Sequence, residues 1–282
     1  MSNPRYRVPG PTFTPSPFGV LTVAQVVDDP DPHWRNGLEW EVTPANGDTA
    51  AVTATLAPCY DVVDPEDDTA RIASSPIPKS PGGSPTFGDG DAFTLYAFHQ
   101  CSTIGRTRDE DIARAGTMLT DGEPFGLASV ILTGTTEAGI LPRSLVRNAD
   151  TVAPTQPTVR KLVATLEGDL AAAYRGVGTI WLPRGAALLA FGDYLLVQQG
   201  NRLTTGVGTP VVVLPDTVFD DPQDPTSVAA FATGPLTVYR GGVATYEAVD
   251  RDTNTRGVVA ERTYAVAIDD PILRADLALD AP

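Results

Sequence analysis

The chain has 282 residues, with 35 acidic against 20 basic side chains and a formal net charge of −15. Such a surface lacks the basic footprint that a phosphate backbone attracts, which excludes a tight nucleic-acid-binding module. No run approaches the roughly 18 apolar residues of a membrane span, and Met1-Ser-Asn-Pro-Arg5 has no apolar stretch behind its charge, so a soluble chain without a secretory signal is expected.

Residues 1–19 read as an extended arm. Pro4, Pro9, Pro11, Pro15 and Pro17 forbid a helix and favour an open backbone. An arm of this kind has no core of its own and lies across a neighbour or stays disordered. Residues 20–26 fit a short strand or a helical turn. Leu38, Trp40 and Val42 alternate towards Asn46-Gly47, a strong hairpin-turn signal, with a return strand over Thr49–Leu56. Residues 61–91 show no period. They carry the acidic run Asp61–Asp68 and the breakers Ser80-Pro-Gly-Gly-Ser-Pro85, so they form a long loop or flap. Gly88-Asp-Gly-Asp91 reads as a turn, and Phe93–Phe98 as a buried strand.

Thr107-Arg-Asp-Glu110 is a capping box that starts a helix with Ile112, Ala115 and Leu119 on one face. Gly122 is expected to interrupt it, with a second helix over Glu123–Leu132 ended by Gly134. The clearest helix spans 157–175: Val159, Leu162, Val163, Leu166, Leu170, Ala173 and Tyr174 share a face, Pro157 suits the first turn and Gly176 the exit. A strand over Thr179–Leu182 and a short helix over Arg184–Phe191 follow. Strands are then expected at Tyr194–Gln198, Thr209–Leu214, Leu236–Tyr239, Ala244–Val249 and Gly257–Ile268, with a tail, Ile272–Leu279, as an edge strand. The polar run Asp250–Arg256 is the turn between the last two long strands.

Chemistry-bearing patterns are sparse. His33 and His99 lie in no metal-ligand spacing, and there is no nucleophile elbow, phosphate loop or dinucleotide fingerprint. The acidic run Asp61–Asp68 lacks the spaced ligands and turn glycine of a calcium loop. Cys59 and Cys101 fit no paired motif and read as two free buried thiols. No catalytic residue, cofactor or metal is assigned, and the chain is read as a non-enzyme.

The segment Tyr174-Arg-Gly-Val-Gly178, Thr179-Ile-Trp-Leu-Pro183, Arg184-Gly-Ala-Ala-Leu-Leu189 resembles the axial-domain segment of major capsid proteins from actinobacterial tailed phages, which use the Hong Kong 97 (HK97-like) fold. Three further pieces agree in order: Gly122-Glu123 through Leu132-Thr-Gly134 with the spine helix, Phe231–Leu236 with Val238 and Arg240 as the strand re-entering the peripheral domain, and Asp250–Arg256 with Ala260–Ala265 as the last long hairpin. Ser129 and Leu132 stand where that family's spine carries an acidic residue and a tryptophan. The resemblance covers about two-thirds of the chain and implies an α+β capsid fold. Its parts would be an N-terminal arm (1–30), an extended loop with its root (31–95), a peripheral domain with the spine helix (96–155), an axial domain (156–230), and a return to the peripheral domain through long strands (231–282).

It also implies a structural subunit that forms hexamers and pentamers of an icosahedral shell around double-stranded DNA. The location would be the virion capsid, assembled in the host cytoplasm. Scaffolding, portal and decoration proteins would be its other partners, with packaged DNA nearby and no membrane; an acidic wall suits that, because it does not stick to DNA. Tyr6, Val8 and Phe13 of the arm, Ile77 and Phe87 of the loop, and Trp34 and Trp40 at its root are the expected inter-subunit contacts. Some members cross-link through a loop lysine, for which Lys79 is the only candidate. The alternatives are a tail-tube or decoration protein, a bacterial nanocompartment shell of the same fold, and a β-rich hydrolase.

Overall fold

The structure is a computed structural model that describes residues 13–14, 16–28, 32–42, 87–104, 106–137, 139–141, 143–152, 155–219 and 226–279. Tyr6, Val8, the Asn46-Gly47 turn with its return strand, Cys59, the acidic run, Ile77 and Lys79 lie outside the described residues.

In chain order, a 3-10 turn at Val20–Thr22 leads into β1 (Gln25–Asp28), so both readings of residues 20–26 hold in succession. A second 3-10 turn, Pro32–Asn36, precedes β2 (Leu38–Glu41), which pairs antiparallel with β3 (Phe87–Gly90). Residues 88–90, expected as part of a turn, are therefore strand. Next come β4 (Phe93–Ser102), the helix α1 (Arg108–Thr133), the two-residue strands β5 (Thr135–Thr136) and β6 (Gly139–Ile140), α2 (Leu145–Asn148) and β7 (Asp150–Thr151). The second half comprises α3 (Val159–Tyr174), β8 (Thr179–Pro183), α4 (Arg184–Gly192), β9 (Leu196–Gln199), β10 (Arg202–Thr205), β11 (Val211–Leu214), β12 (Ser227–Thr233), β13 (Leu236–Arg240), β14 (Ala244–Asp250), β15 (Thr255–Ile268) and β16 (Ile272–Ala278).

Two sheets organise these elements. In the first, β1, β13, β15 and β14 are ordered side by side, and β4 runs along the other edge of β15. The 14-residue β15 is the backbone of this sheet, pairing with β13, β14 and β4. The β14–β15 turn is the polar one expected: Asp250 accepts from the backbone N–H of Asp252 and the hydroxyl of Thr253, and Asn254 takes the left-handed conformation (φ 52°) that suits its short side chain. β4 alternates exposed with covered positions along its length, so it is buried on one face only, where a fully buried strand was expected.

α1 lies across β4 and β15. Its capping box is present: the Thr107 hydroxyl accepts from the Glu110 N–H at 3.3 Å, and the Glu110 carboxylate accepts from the Thr107 N–H at 2.8 Å. Gly134 ends it in the left-handed conformation. The helix does not break at Gly122, and it carries Pro124 as well. A glycine and an interior proline cost about 1 and 3 kcal/mol in an isolated helix. Here Ala115, Leu119, Glu123 and Leu127, each four residues on, form one buried stripe that is held by the sheet on both sides of the weak point. Tertiary packing outweighs local propensity, and the helix runs 26 residues unbroken.

The second sheet has the order β11, β8, β12, β16, β7. β8, β11 and β12 are buried along their whole length, reading as continuous apolar runs covered on both faces. α3 covers β12 and β16 with the face predicted for it: Val159, Leu162, Val163, Leu166 and Leu170 are buried. Its N-cap is Thr158, and its left-handed C-terminal residue is Arg175 (φ 58°), one position before the expected glycine. Gly176 is needed for another reason, since a Cβ there would lie 2.8 Å from the Tyr174 ring. α4 follows β8, and the crossover returns through the β9–β10 hairpin to β11, which is parallel to β8. β16 is flanked by β12 and the short β7, where an edge strand was expected. The stretch 231–282 therefore divides: β13, β14 and β15 build the first sheet, while the last three residues of β12 and all of β16 belong to the second. One continuous core, from Val20 and Phe93 to Leu277, joins both.

Candidate assembly surfaces

The described contact candidates fall into two kinds. Trp34 is buried beside Gly241, with the Arg35 guanidinium 5.6 Å from its ring centre. Trp40 lies over the opposing strand β3, where a Cβ on Gly88 would come within 2.7 Å of its indole. Gly90 is equally constrained, because a Cβ there would meet the Val266 carbonyl at 2.7 Å. These glycines are glycine because the ring and β15 occupy the space of a side chain. The Arg143 guanidinium sits 5.4 Å from the Trp40 ring centre and donates to the Ile268 carbonyl at 3.1 Å and to the Asp270 carboxylate. β2 and β3 thus form a two-stranded ribbon packed onto the end of β15. Both tryptophans serve packing within their own chain. Phe87, at the outer end of the ribbon, and Phe13 are exposed.

Two buried carboxylates fasten α1 to the first sheet. Asp111 is fully buried and is approached by Cys101 Sγ at 3.0 Å, Arg256 at 3.1 Å, Arg106 at 3.2 Å and His99 Nε2 at 3.7 Å. The thiol hydrogen bond and the two guanidiniums hold the Asp111 carboxyl below the usual carboxylate range, and the same bond pushes the half-buried Cys101 thiol up. His99, Cys101 and Asp111 have donor atoms within 4.8 Å of one another. Arginines already neutralise this carboxylate and the thiol is held protonated, so the trio suits an ion-pair clasp and not a cation site. Glu123, mid-helix, receives Arg262 at 2.9 and 3.0 Å and Arg240 at 3.4 Å. Arg240 continues to Asp28, tying β1 into the network and holding that carboxyl low. Burial pushes the neighbouring Tyr264 hydroxyl well above the ordinary tyrosine range, with Glu123 adding to it.

The face of the first sheet turned away from α1 is open. Strand register places Tyr246, Val259 and Phe98 in one row across β14, β15 and β4. Tyr246 and Phe98 are more than half exposed, and Tyr96, also exposed, hydrogen-bonds Glu137. On α4, leucines and a phenylalanine point outward while alanines point in. Neither surface was singled out from the sequence. Alternation along β4 was available as a signal, but the pairing partners that align the row were not.

No protein-family model matches the chain, and no curated protein matches it. Solved structures do. The capsid of a native GTA particle, computed with C5 symmetry, superposes with a TM-score of 0.59 at 12% identity, covering 100% of this chain and 96% of that one. A chain from Microbacterium phage Oxtober96 gives 0.57 at 16% identity, covering 98% and 96%. One from Gordonia phage Cozz gives 0.53 at 13%, covering 100% and 92%. The chain has the Hong Kong 97-type capsid fold. The resemblance first met at residues 174–189 falls on the end of α3, β8 and α4, in the second sheet.

Proposed function

We propose that this chain is the major structural subunit of an icosahedral phage shell, assembling into hexamers and pentamers around double-stranded DNA and carrying no catalytic activity. The observation that supports this best is end-to-end superposition on capsid chains, with nearly the whole of both lengths covered. The first sheet with α1 would be the peripheral body, and the second sheet with α3 and α4 the axial body. Residues 1–30 would be the arm. The segment 31–95 would be the extended loop and its root, with the root held to β15 beside the Trp40–Arg143 contact. Many individually weak contacts then sum in a closed assembly. The net charge of −15 would keep the inner wall from adhering to packaged DNA.

The test is expression of the full chain followed by negative-stain imaging and sedimentation. Shells, tubes or capsomer rings are the expected products. A chain that remains a stable monomer at high concentration overturns the reading.

A further inference from the structure

Helix α4 is built inside out for a protein that stays alone. Ala186, Ala187 and Ala190 are buried, whereas Leu188, Leu189 and Phe191 keep 68%, 62% and 50% of their surface exposed. At 100° per residue, positions 188, 189 and 191 share one arc and 186, 187 and 190 the opposite one. Three residues past Phe191, Tyr194 is 92% exposed on a left-handed backbone (φ 59°).

The orientation is fixed by the surroundings. Asp216, from the segment after β11, accepts the Gly185 N–H at 2.9 Å and so caps the helix start. A Cβ on Gly185 would lie 3.1 Å from that carboxylate. The buried alanines let the helix sit on α3, β8, β9 and β11 with its small side chains inward. Arg160 reaches Asp193 at 3.6 Å, just beyond the other end.

We propose that the outward face of α4, with Leu188, Leu189, Phe191 and Tyr194 at its centre, is a contact between two copies of this chain within a capsomer. The inference rests on the shell reading given above. Taking about 150–250 Å² per large side chain, the face presents on the order of 500 Å² of apolar surface. That is near the upper end of what a monomer leaves open, and more than half of the roughly 800 Å² each partner buries in a standard interface. Charge is absent from its centre and confined to Arg184 and Asp193 at the helix ends, the arrangement of an interface core with a polar rim. Rings of five or six require heterologous contacts, so this face meets a different surface of the next copy.

The experiment compares the wild-type chain with the double variant L188E and L189E. Both positions are exposed, so the far-UV spectrum and melting temperature of the variant should match wild type. Its association should weaken by at least about 100-fold, as expected for two buried leucines replaced by charges, and sedimentation velocity should show monomers where wild type gives capsomers. Oxidative footprinting reads the same contact without a mutation: Phe191 and Tyr194 should be labelled in dissociated subunits and protected in capsomers. If wild type assembles while the folded variant assembles equally well and these residues stay labelled, this contact is overturned and the shell reading stands. If wild type never assembles, both fall together. Should the variant fail to fold, the footprint decides.

Discussion

The two sheets solve different problems with the same polypeptide. In the second, β8, β11 and β12 are buried along both faces, Trp181 is wholly enclosed, and its indole N–H is satisfied by Thr233 at 3.2 Å. In the first, β14 is exposed along nearly its whole length, β4 shows one face to solvent, and the helix on the other face is fastened by buried ion pairs. Among the described residues the buried carboxylates, Asp111 and Glu123, both belong to the α1 side of the first sheet. The second sheet holds the more fully enclosed part of the shared core. The first is a platform with one open face, fastened to α1 by charged clasps.

The strongest way to break this contrast is to open the enclosed strands of the second sheet. Trp181→Ala should destabilise the chain by about 3–5 kcal/mol, read as a lower urea midpoint, because the void is lined by strands covered on both sides. A cost under 1 kcal/mol would show that the second sheet is loosely packed. Next in size is Glu123→Ala, which removes the carboxylate shared by Arg262 and Arg240 and leaves Arg240 with Asp28. The arginines retain some solvent contact, so the loss should be about 2 kcal/mol, and α1 should lose amide protection before α3 does in hydrogen exchange.

Acid should separate the two regions without any mutation. The folded-state pKa of Asp111 is depressed, so its contribution is complete above the unfolded value, about 3.9, and disappears as pH falls through the lower folded value. Protection in β4, β15 and the first turns of α1 should therefore fall below about pH 4, ahead of β8 and β12, and Asp111→Asn should flatten that dependence. The smallest effect sharpens the contrast from the other side. Phe98→Ala and Tyr246→Ala each act on an exposed row and should change subunit stability by about 0.5 kcal/mol or less in chemical denaturation. A larger loss would mean that the open face already packs against its own chain.

Much of the local architecture was legible. The α1 capping box, the α3 face and the polar β14–β15 turn rest on interactions within a few residues, so short patterns report them. The misreadings share one cause. Gly122 signals a break that the sheet beneath α1 overrides. Gly88 and Gly90 signal a turn, yet they are glycines because Trp40, some fifty residues earlier, lies on their strand. The outward face of α4 went unseen because leucine and alanine look equally apolar in a row of letters.

By itself the sequence determined where helices start, which strands alternate, and the absence of any recognisable catalytic pattern, since these depend on backbone propensity and near neighbours. Only the tertiary structure decided which apolar residues are core and which are surface, which strands share a sheet, and which carboxylates meet arginines. Those outcomes depend on pairings across a hundred or more positions, where burial and charge compensation are settled by what the folded chain brings alongside.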